Sequence, residues 1–171
     1  MLSNRLKNVV SQVNTGNLIA DIGTDHGYVP IYLIKNSIAK KAIAADISKG
    51  SCDKAKTNIS LYGLNDKIDV RCGNGLEIIK DSEIIDTIII SGMGGLLTID
   101  VLKSNEKAVK NANQLILQPQ RDIEKVRAYL HSINYKIINE EMLMESGKYY
   151  TIINAVKGSD EEYSEIEYYF G

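Results

Sequence analysis

Apolar residues recur along the chain in two alternating patterns, short uninterrupted runs and segments spaced by three or four residues. The runs predict strands over 17–22, 42–46, 68–72, 87–91, 114–118, 135–144 and 149–156. The spaced segments predict helices over 2–14, 29–34 and 49–61, and shorter helices around Leu76, Leu97 and Val126. The run TIIIS at 87–91 is rich in β-branched residues, which is typical of a strand buried on both faces of a parallel sheet.

This alternation predicts an α/β fold with a doubly wound, mostly parallel, seven-stranded sheet of the Rossmann-like kind. The last two strands, joined across Ser146-Gly147, predict a C-terminal antiparallel hairpin. We expect one domain over 1–157 and an acidic tail over 158–171 that forms either the start of a helix or a frayed end. Ligands of such folds bind beyond the carboxyl ends of the strands, so the loops there are the candidate site.

Composition narrows the classes of function. The 171 residues are 44% apolar and 25% charged, which excludes a disordered chain. No apolar run approaches the roughly 20 residues that span a bilayer, and the first ten residues lack the apolar core of a signal peptide. We therefore expect a cytoplasmic protein without a membrane partner, in which Cys52 and Cys72 are free packing residues. The first sixty residues hold eight basic and four acidic side chains, which permits RNA binding without establishing it.

The loop after the first strand reads DIGTDHGY at 21–28. A dinucleotide-binding loop needs a glycine where Asp25 stands, because a carboxylate there repels a diphosphate. The loop suits a cationic, phosphate-free cofactor such as S-adenosylmethionine, whose ammonium and sulfonium can lie near Asp21 and Asp25. A tight strand-to-helix turn without a ligand is the alternative. The other candidates for cofactor contact in this loop are Gly23, Thr24, His26 and Gly27.

Two further loops at the same edge offer contacts for the nucleoside part of such a cofactor. Asp46 ends the second strand, where a carboxylate commonly binds both ribose hydroxyls, and Ile47 follows it. Asn74 and Gly75 follow the third strand, where a side-chain amide can pair with an adenine edge. The alternatives are a cap for the helix after Asp46 and a glycine turn with an Asx hydrogen bond at Asn74.

The loop after the fourth strand is rich in glycine. Gly92 leaves bare backbone beside the predicted cofactor, and the residues that follow leave room for a flat purine substrate, because few Cβ atoms are present. The predicted purine contacts are Met93, Gly94 and Gly95. A strained turn before a helix is the alternative.

Other polar residues carry weaker signals. Gln118-Pro119 ends the fifth strand and either walls the pocket or only terminates the strand. His131 lies near a predicted helix end, where we expect it to be solvated or to interact with the helix dipole. No group of His, Cys and Asp residues has metal-ligand spacing in the sequence, so we expect no metal site.

Six segments match the pattern of one known family in the right order. They are LSNRL at 2–6, ADIGTDHGYVP at 20–30, AIAADISKG at 42–50, IDVRCGNGLEII at 68–79, ISGMGG at 90–95 and QLILQP at 114–119. Together they resemble the bacterial tRNA (adenine(22)-N1)-methyltransferase family, also called TrmK-like. The resemblance implies a class I methyltransferase fold, S-adenosylmethionine as donor, and adenine 22 of tRNA as acceptor.

The chain departs from the usual family pattern at two places. Members usually carry an acidic residue where this chain has Asn74, and they usually continue past 170–171 into a helical extension that helps to hold tRNA. We therefore expect a catalytic domain that binds the cofactor but methylates tRNA poorly.

The implied reaction assigns roles to further residues. The lone pair of adenine N1 can attack without prior deprotonation, so catalysis depends mainly on positioning. We expect Asp25 to stabilise the cationic product and Tyr28 to stack on the flipped base; the alternative for Tyr28 is a core aromatic. Basic side chains that could contact tRNA phosphates are Arg5, Lys7, Lys35, Lys40 and Lys41, although most surface lysines are only solvated.

Two other functions remain open at this point. One is a methyltransferase that acts on another RNA, a protein or a small molecule. The other is a cofactor-binding module without catalytic activity. For either, as for a tRNA methyltransferase, we expect a monomer.

Overall fold

The computed structural model describes residues 2–159 and 163–171. Its seven strands form one sheet in the order β3-β2-β1-β4-β5-β7-β6. The strands are β1 Gly16–Ile22, β2 Ala39–Asp46, β3 Ile68–Cys72, β4 Thr87–Met93, β5 Gln114–Pro119, β6 Tyr135–Glu145 and β7 Lys148–Lys157. Neighbours from β3 to β5 are parallel, whereas β7 runs antiparallel to both β5 and β6. The predicted mostly parallel sheet with an antiparallel hairpin is confirmed.

The helices are α1 Asn4–Ser11, α2 Tyr28–Lys35, α3 Lys49–Leu61, α4 Gly95–Lys103, α5 Glu106–Asn111, α6 Ile123–Ser132 and α7 Glu165–Phe170, with a 3₁₀ turn at Gly75–Ile78. The predicted helix over 2–14 is wrong in its bounds. Ser3 caps α1 by accepting a hydrogen bond from the Leu6 N–H, and the helix stops at Ser11, although Val13 beyond it is still buried. Helix α5, which Asn105 caps, is absent from the prediction.

Helices cover both faces of the sheet, so the strands are buried on both sides. Ile88 and Ile90 of β4 pack in one apolar cluster, to which α4, α5 and α6 contribute. Ile89 between them points into the other cluster, to which α1, α2 and α3 contribute. All three isoleucines are fully buried, which confirms the prediction made from the run TIIIS.

The direction of strand addition reverses between β1 and β4. From β1 the chain proceeds through α2 to β2 on one side, and the later strand β4 lies on the other side. In open α/β sheets the crevice at such a reversal, beyond the carboxyl ends of the strands, is where ligands bind. The carboxyl ends of β1 and β4 therefore mark the place to look for a site.

The C-terminal tail ends in a helix and not in a frayed segment. Ser164 and Glu167 form a reciprocal capping box at the start of α7; residues 160–162 lie outside the described residues. Helix α7 packs on α6, where the His131 Nδ1 lies 3.0 Å from the Tyr168 hydroxyl and the ring contacts Tyr163 edge-on. The first of the two possibilities predicted for His131, a solvated side chain, is wrong, because the tail covers it. The second fits its place in the last turn of α6, next to the negative end of the helix dipole.

The two cysteines differ in their surroundings. Cys52 is buried on α3, as predicted, with its Sγ 3.3 Å from the Asp46 carbonyl oxygen. Cys72 ends β3 and is exposed, so the expectation that it packs in the interior is wrong.

Candidate active site

A cavity of about 110 Å³ opens at the carboxyl ends of β1 and β4. Its walls come mainly from the loop between β1 and α2, the loop that the sequence singled out. Residues from two other elements complete it, Arg5 of α1 and Ser91 of β4. The lining residues named as candidates from the sequence are Arg5, Asp21, Gly23, Thr24, Asp25, His26 and Tyr28.

Asp21 is a buried carboxylate at the floor of this cavity. It is 4% exposed, and its Oδ2 accepts a hydrogen bond of 2.6 Å from the Thr24 hydroxyl. Burial raises the pKa of Asp21 to about 6; the Thr24 hydrogen bond lowers the pKa, and the nearby Asp46 carboxylate raises it further. No ion pair joins Asp21 to a cation within the described parts of the chain. The site therefore favours a cationic ligand group next to Asp21.

The backbone of the β1–α2 loop is held in left-handed conformations at three residues. Gly23 has φ +79°, Asp25 φ +48° and Gly27 φ +73°. A Cβ at Gly23 would collide with the Cε of Met93, whereas one at Gly27 would lie 3.3 Å from the Cβ of Ala55. Gly27 is thus required by its φ and by packing against α3, a reason independent of any cofactor.

Asp25 and Tyr28 both line the cavity, in different surroundings. The Asp25 side chain is 59% exposed; its Oδ1 accepts a hydrogen bond from the Ser51 hydroxyl at 3.3 Å, and its Oδ2 lies 3.3 Å from the His26 Nε2. The His26 ring stacks on the Tyr28 ring with centroids 5.4 Å apart. Tyr28 is half-buried in the cavity wall, so the alternative of a core aromatic is wrong.

Asp46 lies at the end of the neighbouring strand and binds backbone of the loops around it. Its Oδ1 accepts from the Ser48 N–H at 2.9 Å, and its Oδ2 accepts from the Asp25 N–H at 3.1 Å. The cap of α3 is Ser48 itself, whose Oγ accepts from the Ser51 N–H. Ile47 beside it is 73% exposed.

Asn74 and Gly75 follow β3 at the same edge of the sheet. The Asn74 amide donates a hydrogen bond of 2.9 Å to the Glu77 carboxylate, and the side chain does not cap the 3₁₀ turn, so the Asx alternative is wrong. A Cβ at Gly75 would lie 3.2 Å from the Ser104 Oγ, which means that packing beneath α4 favours glycine there.

The glycine-rich segment differs from the expected open loop. Gly92 and Met93 still belong to β4, and Gly94 is the N-cap of α4. A Cβ at Gly95 would lie 2.5 Å from the Arg121 carbonyl oxygen. The expectation of bare backbone at Gly95 is wrong, because this glycine is buried to let α4 and the start of α6 approach.

Arg5 occupies a different place from the one expected. Its Nη1 donates to the Ser91 Oγ at 2.7 Å and to the Gln118 Oε1 at 2.6 Å, which brings the guanidinium into the cavity wall. Arg5 therefore faces the cavity, and its contact with a tRNA phosphate stays a prediction. Lys7 is exposed, as are Lys35, Lys40 and Lys41.

Gln118 does not wall the pocket directly. The side chain is fully buried, and its Nε2 donates to the Pro119 carbonyl oxygen while its Oε1 accepts from Arg5. Pro119 is buried at the end of β5. The sequence contained a signal for this contact of Arg5. Ser91 and Gln118 are polar residues at the ends of apolar strands, and a polar side chain buried there needs a hydrogen-bond partner.

Residues 2–159 and 163–171 contain neither a metal centre nor a membrane-spanning helix. No three His, Cys, Asp or Glu side chains there are grouped to hold a metal ion. None of the helices described has the length and apolar character needed to cross a membrane.

The family described as a methyltransferase domain matches residues 2–153, nearly the whole sheet and its helices. The Rossmann-like fold, the acidic β1 loop and this match define the class as a methyltransferase. The tRNA (adenine(22)-N(1))-methyltransferase of Bacillus subtilis (strain 168) is 40% identical over 157 residues, 92% of this chain and 66% of that protein. The chain thus spans about two thirds of the length of this curated relative.

Solved structures agree with the sequence match. A putative tRNA (m1A22) methyltransferase of Streptococcus pneumoniae in complex with S-adenosyl-L-methionine has a TM-score of 0.96 and 35% identity, covering 100% of this chain and 79% of that one. M. capricolum TrmK in complex with S-adenosyl-homocysteine has a TM-score of 0.92 and 35% identity, and the match covers 100% of this chain and 76% of that one. The chain belongs to the tRNA (adenine(22)-N1)-methyltransferase family, and the family predicted from the six segments is confirmed.

Proposed function

We propose that this protein transfers a methyl group from S-adenosylmethionine to N1 of adenine 22 in tRNA. Family membership and the relatives solved with S-adenosylmethionine and its product support the proposal. The observation that carries it is the buried Asp21 carboxylate, which has no cationic partner among the described residues and lies in the crevice between β1 and β4. We place the reaction in the cytoplasm and the methyltransferase domain at 1–157, and we expect a monomer.

The residues at the sheet edge fit the cofactor. We assign the ammonium of the methionine part to Asp21 and its carboxylate to Arg5, because these two side chains face one cavity and do not pair with each other. Asp46 is the proposed ligand of the ribose hydroxyls. The adenine end is assigned to Ile47, Asn74 and Gly75, and Gly92 lies beside Arg5 at the methionine end. When bound, S-adenosylmethionine supplies a methyl group activated by its sulfonium.

The remaining residues act on the target base. Tyr28 offers an aromatic surface for an adenine taken out of its stack, which offsets part of the unstacking cost. Asp25 lies in the same cavity with an exposed carboxylate, which stabilises the positive charge that develops on the methylated ring. Since N1 attacks through a lone pair, no side chain has to remove a proton first. Met93 and Gly94 complete the proposed base contacts.

A methyl-transfer assay on bulk bacterial tRNA, with a labelled donor and nucleoside analysis, tests this function. We expect label in 1-methyladenosine. Label that enters ribosomal RNA or protein instead would favour a methyltransferase with another substrate. Tight donor binding without transfer to any tRNA would indicate a cofactor-binding module. Calorimetry in which NADH binds and S-adenosylmethionine does not would exclude both methyltransferase functions.

A further inference from the structure

A second depression lies directly beside the active-site cavity, along the outer side of α2. It has a volume of about 160 Å³ and shares Tyr28 with the cavity. We call it the tyrosine groove and define it by Leu2, Tyr28, Ile31, Tyr32, Lys35 and Tyr62. From Tyr28 to Lys35 the helix rises about 10 Å, so the groove leads away from the cavity along one helix face.

Three tyrosines from two helices meet in the tyrosine groove. Tyr28 and Tyr32 are four residues apart and therefore lie on the same face of α2. Tyr62 is the C-cap residue of α3, and Gly63 after it has φ +66°, which turns the chain away. Tyr32 is 38% exposed and Tyr62 50% exposed, so both rings present surface to a ligand.

The charges around these rings favour a nucleic acid. The Lys35 Nζ lies 4.6 Å from the centroid of the Tyr62 ring. Of the described residues that line the groove, none is acidic. Exposed aromatic rings beside a lysine match the two parts of a nucleotide, since bases stack on aromatic rings and phosphates attract ammonium groups. An apolar peptide segment would gain nothing from the lysine.

We propose that the tyrosine groove binds an unpaired nucleotide of the RNA substrate, adjacent to the adenine that is methylated, with its base on Tyr32 and Tyr62 and its phosphate near Lys35. The proposal rests on the proposed function, because Tyr28 joins the groove to the methylation site. Removing the target adenine from its stack exposes a face of the neighbouring base. The groove covers that face and so favours the flipped arrangement.

Steady-state methylation of a transcribed tRNA tests the proposal. We expect Tyr62→Ala and Lys35→Ala each to raise the KM for tRNA, roughly tenfold for Tyr62→Ala, with an unchanged Kd for S-adenosylmethionine. Tyr62→Phe keeps the ring and should restore the KM. The matched control is Lys103→Ala: this lysine also lies over a tyrosine, 5.5 Å from the Tyr129 ring centroid, in a depression that contains Glu106 and does not include Tyr28. We expect this control to behave as the unmodified chain.

A tRNA that lacks the base next to the target adenine separates stacking from general weakening. The unmodified protein should bind this RNA more weakly than it binds the complete tRNA. Tyr62→Ala should bind the two RNAs with nearly the same affinity, because it already lacks the stacking contact. If removing the base weakens binding by the same factor in both proteins, the groove proposal is overturned. A dimer of the unmodified chain that Tyr62→Ala dissociates would overturn it too, since a second copy would then occupy the groove.

The same assay distinguishes this proposal from the proposed function. If the unmodified chain methylates tRNA and Tyr62→Ala does so with the same KM, only the groove proposal fails. If the unmodified chain methylates no tRNA at all, the proposed function fails and the groove proposal with it.

Discussion

Asp21 is the residue at which the requirements of folding and of ligand binding oppose each other most directly. Its carboxylate is buried, and the described fold supplies one side-chain hydrogen bond and no cation. The ordinary pKa of 3.8 rises to about 6, so between these two pH values the folded protein binds more protons than the unfolded chain. Stability therefore falls as the pH rises through this window, and the penalty is complete above it.

Asp21→Asn should remove that penalty and abolish cofactor binding. We expect the ligand-free variant to gain on the order of 2 kcal/mol in the free energy of unfolding at pH 8, and to show little gain at pH 4. Thermal unfolding at both pH values measures this. S-adenosylmethionine should stabilise the unmodified chain and not the variant. A variant that is less stable at pH 8 would contradict the account of Asp21.

Arg5 offers a second test at the scale of the residue. Arg5→Ala should weaken the binding of S-adenosylmethionine at least tenfold, because it removes the proposed partner of the donor carboxylate. Lys7→Ala, two residues further along α1 and exposed, should leave that affinity unchanged. Calorimetry measures both. If Arg5→Ala instead leaves donor binding intact and raises the KM for tRNA, Arg5 contacts phosphate, as the sequence first indicated.

Tyr28 separates substrate positioning from donor binding. Tyr28→Ala should reduce methyl transfer to tRNA at least tenfold and leave the affinity for S-adenosylmethionine intact, because stacking on the flipped base is lost. Tyr28→Phe keeps the aromatic surface and should retain most of the activity. Unchanged turnover in Tyr28→Ala would remove this residue from the site.

At the scale of elements, one buried arginine joins α6, β6 and α7. Arg127 is 4% exposed and donates two hydrogen bonds of 2.8 Å to the two carboxylate oxygens of Glu140. Its Nη1 donates to the Tyr168 carbonyl oxygen at 2.6 Å, near the end of α7. A six-residue helix is too short to be stable alone, so this contact and the capping box hold α7 in place.

Arg127→Met should cost about 3 kcal/mol of unfolding free energy, because it leaves the half-buried Glu140 carboxylate without its partner. The double variant Arg127→Met/Glu140→Met should recover most of that loss, since both charges are then gone. Chemical denaturation of the two single variants and the double variant measures the coupling. Additive losses would show that the pair does not act as a unit.

At the scale of the whole molecule, the chain combines a net charge of −2 with a basic front third. The exposed lysines Lys7, Lys35, Lys40 and Lys41 all belong to that part, whereas five acids lie in the tail. Lys35 lines the groove beside the active site, whereas Lys40 and Lys41 lie at the start of β2, the strand end opposite Asp46. Each phosphate that contacts one of these lysines releases counterions.

The affinity for tRNA should therefore fall steeply with salt, roughly tenfold or more between 50 and 200 mM, while the affinity for S-adenosylmethionine should change little. The proposed ligand of the donor is the buried Asp21 carboxylate, which salt screens poorly. Binding titrations at several salt concentrations measure both slopes. A flat response for tRNA would exclude these lysines as phosphate contacts.

Local sequence patterns determined the elements and their class. The runs that end in Asp21, Asp46 and Ser91 predicted strands and placed three loops at one edge, because hydrophobic periodicity and glycine positions act over a few residues. Residues of the loop after β1 line one cavity because they are neighbours in the sequence. Six segments were also enough to predict the family.

The tertiary structure decided what distant residues do to one another. Arg5 enters the cavity only because Ser91 and Gln118, some ninety and more than a hundred residues away, accept its hydrogen bonds. Gly95 serves helix packing because Arg121 happens to lie against it, and His131 is covered because α7 returns to α6. Such contacts depend on how elements pack in space, and no local pattern records that. Burial follows the same rule: the sequence named both Asp21 and Asp25 for the cationic cofactor, and only the structure shows that Asp21 is buried and Asp25 exposed.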